Sequence, residues 1–289
     1  MTSLSNKRWG EKKVLPLSSL LDFNKNGWFE VSEYDGNVEV YLKNIELHHL
    51  GKPLLICFNA AVPNREKREY PFFSGIKLSQ DFGLPLIAIA DPSLRILNKL
   101  NLSWYAGNKR QLQLQKSIAD FIGKVSSCSQ LPPVLIGGSG GGFAALVAKA
   151  LSPKVNCHVV VWNPQVSITD YYQSFVKRYF KVCFPDAVSL EKEQQINFFE
   201  DKGIIHRVQL NDFSDLGRIV YFQNKTDSMH LNMHCLNFYK GVSLDGFYDG
   251  SYKSFYKRNI ELIIGDWGHG HISPPIEKIV SSIFSLYLE

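Results

Sequence analysis

The sequence predicts an α/β protein built on a mostly parallel sheet of eight strands, with helices on both faces and a helical lid insertion over residues 165–215. Three observations carry that expectation. Short, continuous apolar runs recur along the chain, as expected of strands buried on both faces. Segments with three- and four-residue apolar spacing lie between them. An apolar run also passes straight into a knot of glycines and then into an Ala/Leu-rich helix pattern at 134–146. Alternation of strand and helix implies right-handed crossovers between parallel strands.

In chain order, 28–33 and 38–42 alternate in polarity around Tyr34-Asp35-Gly36-Asn37, and an Asp-Gly pair between alternating runs signals a hairpin. With the residues before them they form an N-terminal segment and antiparallel hairpin, residues 1–50. The runs 54–58 and 86–90 then read as buried strands, the second stopped by Asp91-Pro92, because proline removes a backbone donor and restricts its predecessor. Leu112, Leu114, Ile118, Phe121, Ile122 and Val125 mark an amphipathic helix over 111–125.

Residues 134–138 form the next strand, 142–151 a helix and 158–162 a further strand ended by Asn163-Pro164. The insertion follows, rich in aromatic residues and carrying Lys177, Arg178 and Lys181. Strand 218–222, a helix over 230–239, an irregular aromatic and glycine-rich stretch to Tyr256, strand 260–264 and a helix over 275–288 complete one domain, 1–289. A chain of 289 residues with 45% hydrophobic and 20% charged side chains suffices for that core.

The net charge of +5 is spread along the chain, whereas nucleic-acid binding calls for a clustered basic stripe. Five cysteines without a C-x-x-C pair suggest neither a disulfide framework nor a zinc ribbon. Residues 1–13 lack the apolar segment of a secretory signal, and no apolar run approaches the roughly 20 residues of a membrane span. The expectation is a cytoplasmic protein, with peripheral association to a membrane complex left open.

Gly137-Gly138-Ser139-Gly140-Gly141 satisfies G-x-S-x-G, a pattern that presents a serine on a strained strand-to-helix turn. It lacks the Gly-Lys-[Ser/Thr] ending of a phosphate loop and comes too late in the chain for a dinucleotide turn. A serine hydroxyl needs an imidazole to take its proton and a carboxylate to orient that imidazole. Ser139 follows the fifth strand, Asp227 the seventh, and His269 and His271 the eighth; serine, acid, histidine is the order of the α/β-hydrolase fold.

His269, directly after the last strand, is the preferred base, with His271 as alternative base or substrate contact. Asp227 is preferred to Asp266, which would have to fold back onto its own loop. The backbone N–H groups of Gly140 and Ala60 are the expected oxyanion donors. His230 and His234 have the spacing of zinc-binding helices, yet Leu231-Asn232-Met233 supplies no glutamate, so no metal is expected and His230 is read as packing or hydrogen-bonding to the site. Tyr171, Tyr172 and Trp267 are candidate substrate contacts.

The serine turn, Asn163-Pro164-Gln165 with Asp170-Tyr171-Tyr172, and Asp227-Ser228-Met229-His230-Leu231-Asn232 together resemble bacterial capsular-polysaccharide O-acetyltransferases and related capsule-biosynthesis proteins with an α/β-hydrolase fold. The resemblance implies a triad of Ser139, Asp227 and His269 and transfer of an acetyl group from acetyl-CoA, through an acetyl-serine, to a polysaccharide or oligosaccharide hydroxyl. It implies no permanently bound cofactor. The chain departs from the family's pattern in a longer approach to the histidine and in the second histidine. The residues themselves define only serine acyl chemistry, shared with carboxylesterases and deacetylases, and a catalytically silent scaffold on the same fold is the remaining alternative.

Overall fold

The computed structural model describes residues 5–6, 8–240, 253–257 and 259–288. Ten strands form one sheet. In chain order they are β1 (Lys13–Leu15), β2 (Gly27–Val31), β3 (Glu39–Lys43), β4 (Leu55–Phe58), β5 (Leu86–Ile89), β6 (Val134–Gly138), β7 (His158–Trp162), β8 (Ile219–Asn224), β9 (Lys253–Lys257) and β10 (Ile260–Gly265). Their spatial order is β9-β10-β8-β7-β6-β4-β5-β3-β2-β1. The six strands from β5 to β10 in that order are parallel, and within this sheet β3 joins β5 and β2, and β9 joins β10, in antiparallel pairs.

The sheet is two strands wider than expected. The additional strands, β1 and β9, are short edge strands that open and close the order. The hairpin forms as its turn residues dictate: Asp35 and Gly36 both take positive φ, 48° and 73°, as a type I′ connection requires, and Trp28 pairs with Tyr41. The glycine-rich stretch before Tyr256 lies mostly outside the described residues.

Successive residues of the central strands bury alternately on opposite faces. Ile56 and Phe58, Leu135, Val159 and Val161, and Ile219 and Tyr221 join one core, while Leu55 and Cys57, Val134 and Ile136, Val160, and Val220 and Phe222 join the other. Two helices cover the second face. They are α1 (Ile76–Phe82), through Leu78, and the final helix, through Ile279, Val280 and Ile283. Helix α2 (Leu114–Cys128) buries Leu114, Ile118, Phe121, Ile122 and Val125 on the first face, beside α3 (Ser139–Ala150).

The insertion is helical, with α4 (Gln173–Cys183) and α5 (Lys192–Asp201). Three of its aromatic residues, Tyr179, Phe180 and Phe199, pack with Val176 into the first core, and Tyr179 donates to the Gly107 carbonyl. Residues 228–238 form a helix that widens through a π turn at Leu231–Cys235. No helix among the described residues is long and apolar enough to cross a membrane. The carboxyl ends of β4, β6, β7, β8 and β10 share one edge of the sheet, which brings loops far apart in sequence together.

Candidate active site

Ser139 opens α3 with φ +51°, a left-handed conformation that side chains other than glycine seldom adopt. The outer glycines of the motif are there for space. A Cβ on Gly137 would lie 2.5 Å from the Gly141 backbone, and one on Gly141 would lie 2.6 Å from the Phe58 carbonyl oxygen. The turn can therefore press α3 against the end of β4, where Ala60 begins the facing loop. The first N–H groups of a helix have no partner within it, so the Gly140 N–H is a donor beside the serine.

Ser139 and His271 line one pocket of about 560 Å³, together with Ala60, Gly138, Trp162 and Asn163. Lys77, Leu78, Pro274, Ile276 and Ile279 also line it. His271 Nδ1 meets Asp227 Oδ2 at 2.5 Å, leaving the opposite ring nitrogen for the pocket. Asp227 also caps the helix at 228–238 and bonds His230 Nδ1 at 3.0 Å. Burial would raise the Asp227 pKa, but hydrogen bonds from His230 and His271 and their nearby charge hold it well below the usual carboxylate range.

The imidazole paired with Asp227 is thus that of His271, not the preferred His269, which is exposed. The reason lies in how the last loop is wound. Asn224 Nδ2 donates to the carbonyls of Gly268 at 2.8 Å and Gly270 at 2.7 Å, and Thr226 bonds the same turn. Asn163 Nδ2 holds the Ile272 carbonyl at 2.8 Å. The chain spends residues 266–270 circling Asn224, so it passes over Asp227 two residues later than its distance from β10 suggests. Asp266 points outward to Lys225 at 3.1 Å.

His230 is buried and does not line the pocket; burial, together with the charge of His271, lowers its pKa. Asp227, His230 and His271 offer three donor atoms within 4.8 Å of one another. The two rings, however, are stacked with centroids 4.1 Å apart and planes 24° from parallel. Lone pairs lying in near-parallel planes at that separation do not converge on one ion about 2 Å from each nitrogen. The arrangement suits two hydrogen bonds to one carboxylate. His234 accepts the Val166 N–H at 3.3 Å and serves as packing.

None of the three aromatic residues named as substrate contacts lines this pocket. Tyr171 packs on His230 and Trp104, Tyr172 is exposed, and Trp267 sits edge-on to Phe222, filling the space over Gly265. The helices of the insertion are likewise absent from the wall; only its first residues reach the serine.

Those first residues hold what the sequence did not reveal. Gln165, fully buried, donates from Nε2 to Ser139 Oγ at 3.0 Å, and its backbone N–H reaches the Ser139 carbonyl at 3.2 Å. Trp104 Nε1 donates to Gln165 Oε1. Trp104 and Tyr105 both have φ +54°. Such consecutive outliers persist only where the surroundings over-determine them. Asp91 supplies that restraint, accepting from Ser103 Oγ and the Tyr105 N–H, each at 2.7 Å. Tyr105 Oη in turn bonds Asn59, accepting its N–H at 2.9 Å, directly before Ala60. Asp91-Pro92 reads in the sequence only as a strand stop.

The fold is that of the α/β-hydrolases. A capsule O-acetyltransferase of Neisseria meningitidis serogroup A superposes with TM-score 0.53 at 17% identity, over 93% of this chain and 97% of that one. The same protein with caged gadolinium gives 0.57 at 18% over the same shares. Acetyl xylan esterase 1 from Thermoanaerobacterium sp. JW/SL YS485 gives 0.48 at 15%, over 88% and 80%. No protein-family model matches the sequence, and no curated protein matches it.

Proposed function

We propose that the protein is a serine acyltransferase that acetylates hydroxyl groups of a bacterial surface polysaccharide, with acetyl-CoA as donor. The observation that carries the acyl chemistry is the meeting of Ser139 and His271 at one pocket, with the Nδ1 of His271 bonded to Asp227. Likeness in fold to the Neisseria enzyme along nearly all of both chains supports transfer to a sugar.

In this reading His271 takes the Ser139 proton as Oγ bonds to the thioester carbonyl carbon. The oxyanion is received by the N–H groups of Gly140 and Ala60. The C–S bond then breaks, and the proton passes from His271 to sulfur. A sugar hydroxyl next gives its proton to His271 as its oxygen bonds to the acyl carbon, and Oγ leaves with that proton. Asp227, fixed by His230, stabilises the imidazolium at both stages.

One observation favours ester hydrolysis as a second reading: His271 is 44% exposed, so water reaches the base. Acetyl-CoA supplied with de-O-acetylated capsular oligosaccharides separates the two readings. Acetylated sugar, formed faster than free acetate, supports transfer; acetate alone, with any acceptor tried, leaves the hydrolase. Failure of a fluorophosphonate probe to label Ser139 would instead support a non-catalytic scaffold in a biosynthetic or export complex.

A further inference from the structure

We infer that Gln165 is a catalytic residue whose side-chain amide, oriented by Trp104, fixes the direction of the Ser139 hydroxyl; the inference rests on Ser139 being the nucleophile. The argument starts from what each group can do. An indole nitrogen only donates. Trp104 Nε1 meets Gln165 Oε1, so the oxygen end of that amide is the end facing Trp104. The other end, Nε2, faces Ser139 and can only donate.

The choice between the two amide orientations, which ordinarily has to be inferred from the network, is settled by the indole. Gln165 Nε2 therefore occupies a lone pair of Ser139 Oγ at 3.0 Å. A hydroxyl that accepts from one side keeps its own hydrogen free to donate on another. The imidazole lining the same pocket is His271, whose Nδ1 is committed to Asp227. The amide thus holds the serine with its proton available to the base, before any substrate is bound.

The same contact acts in the second half of the reaction. When an acceptor oxygen adds to the acyl carbon and the intermediate collapses, the bond from that carbon to Oγ breaks and the electron pair goes to Oγ. His271 returns a proton to Oγ, and the N–H of Gln165 stabilises the charge that develops on it. Gln165 and Trp104 are both fully buried, so water does not compete for the donor. Trp104 does not touch Oγ and is a positioning residue.

The test is the rate of fluorophosphonate labelling of Ser139, with steady-state hydrolysis of p-nitrophenyl acetate beside it. Gln165→Glu is nearly isosteric and presents an acceptor where a donor stood, so the hydroxyl turns to the carboxylate. Labelling and kcat should fall roughly 10²-fold or more, in the range seen for loss of a preorganised donor. Gln165→Ala, which removes the donor without reversing it, should lose about tenfold.

Trp104→Phe leaves Gln165 in place and keeps an aromatic ring in the core, so it stands in if the Gln165 variants fail to fold. It should lose several-fold in kcat with KM unchanged. Wild-type labelling and kcat in folded Gln165→Glu, or in Trp104→Phe, overturn the inference while leaving the serine mechanism intact. An unlabelled wild-type Ser139 overturns both.

Discussion

His230 and His271 stack face to face, and both direct Nδ1 at the Asp227 carboxylate. A single buried acid thus carries two imidazoles of unequal exposure: His230 is sealed in the core and His271 faces the pocket. That inequality assigns their roles, since only an imidazole that meets both the acid and the pocket can move a proton for the serine.

His271→Ala should reduce kcat for acetyl-ester hydrolysis by about 10³-fold or more, as removal of a member of a catalytic triad does. His269→Ala should stay within about twofold, because it is His271 and not His269 that lines the pocket and bonds Asp227. Steady-state kinetics on the two purified variants decides the matter, and equal losses would be incompatible with the geometry.

Replacing His230 by Phe keeps a stacked ring and deletes the second hydrogen bond to Asp227. The expected result is a fall of about tenfold in kcat, with KM little changed, the equivalent of one net hydrogen bond. Unaltered kcat in a folded variant would reduce His230 to packing.

Gly141→Ala should destabilise by about 3 kcal/mol or more, because its Cβ would strike backbone atoms of Phe58 and Asn59, which cannot rotate aside. Gly203→Ala is a contrasting control. Nothing lies within 4 Å of its Cβ, although its φ of +65° adds a smaller backbone cost. Thermal melting should rank Gly141→Ala well below Gly203→Ala.

His158 links stability to pH. Burial, then the charges of Arg218 and Lys149, push its pKa down to about 4, and its Nδ1 accepts the Arg218 N–H at 2.9 Å. The folded protein keeps this ring neutral while the unfolded chain protonates it near 6.5. The unfolded state therefore binds more protons between those values, and the stability present above about 6.5 is lost as pH falls toward 4. His158→Asn retains an acceptor that does not titrate. Urea titrations at pH 7, 5.5 and 4 should show a loss smaller by up to about 3 kcal/mol in the variant; parallel losses would refute the assignment.

The central sheet was legible because each inner strand is apolar on both faces, and the serine turn because close packing permits few residues besides glycine there. Strands β1 and β9 were not legible, since a short edge strand carries little apolar pattern to read. The histidine was displaced by a loop whose path depends on the Asn224 side chain, a long-range contact without a local signature. Gln165 was visible only as part of a resemblance: its role depends on Trp104, 61 residues earlier.

The tether of the last loop sets how the proposed site would fail. Ser139 and Asp227 sit at the ends of central strands, but His271 rides on residues 266–272, held to the sheet by hydrogen bonds from Asn163, Asn224 and Thr226, by the packing of Trp267 on Phe222 and by the Asp266–Lys225 pair. Such a segment opens at a lower free energy than the core around it. On heating, the base should leave the carboxylate while the sheet is still protected from hydrogen exchange, so that inactivation precedes melting and reverses on cooling.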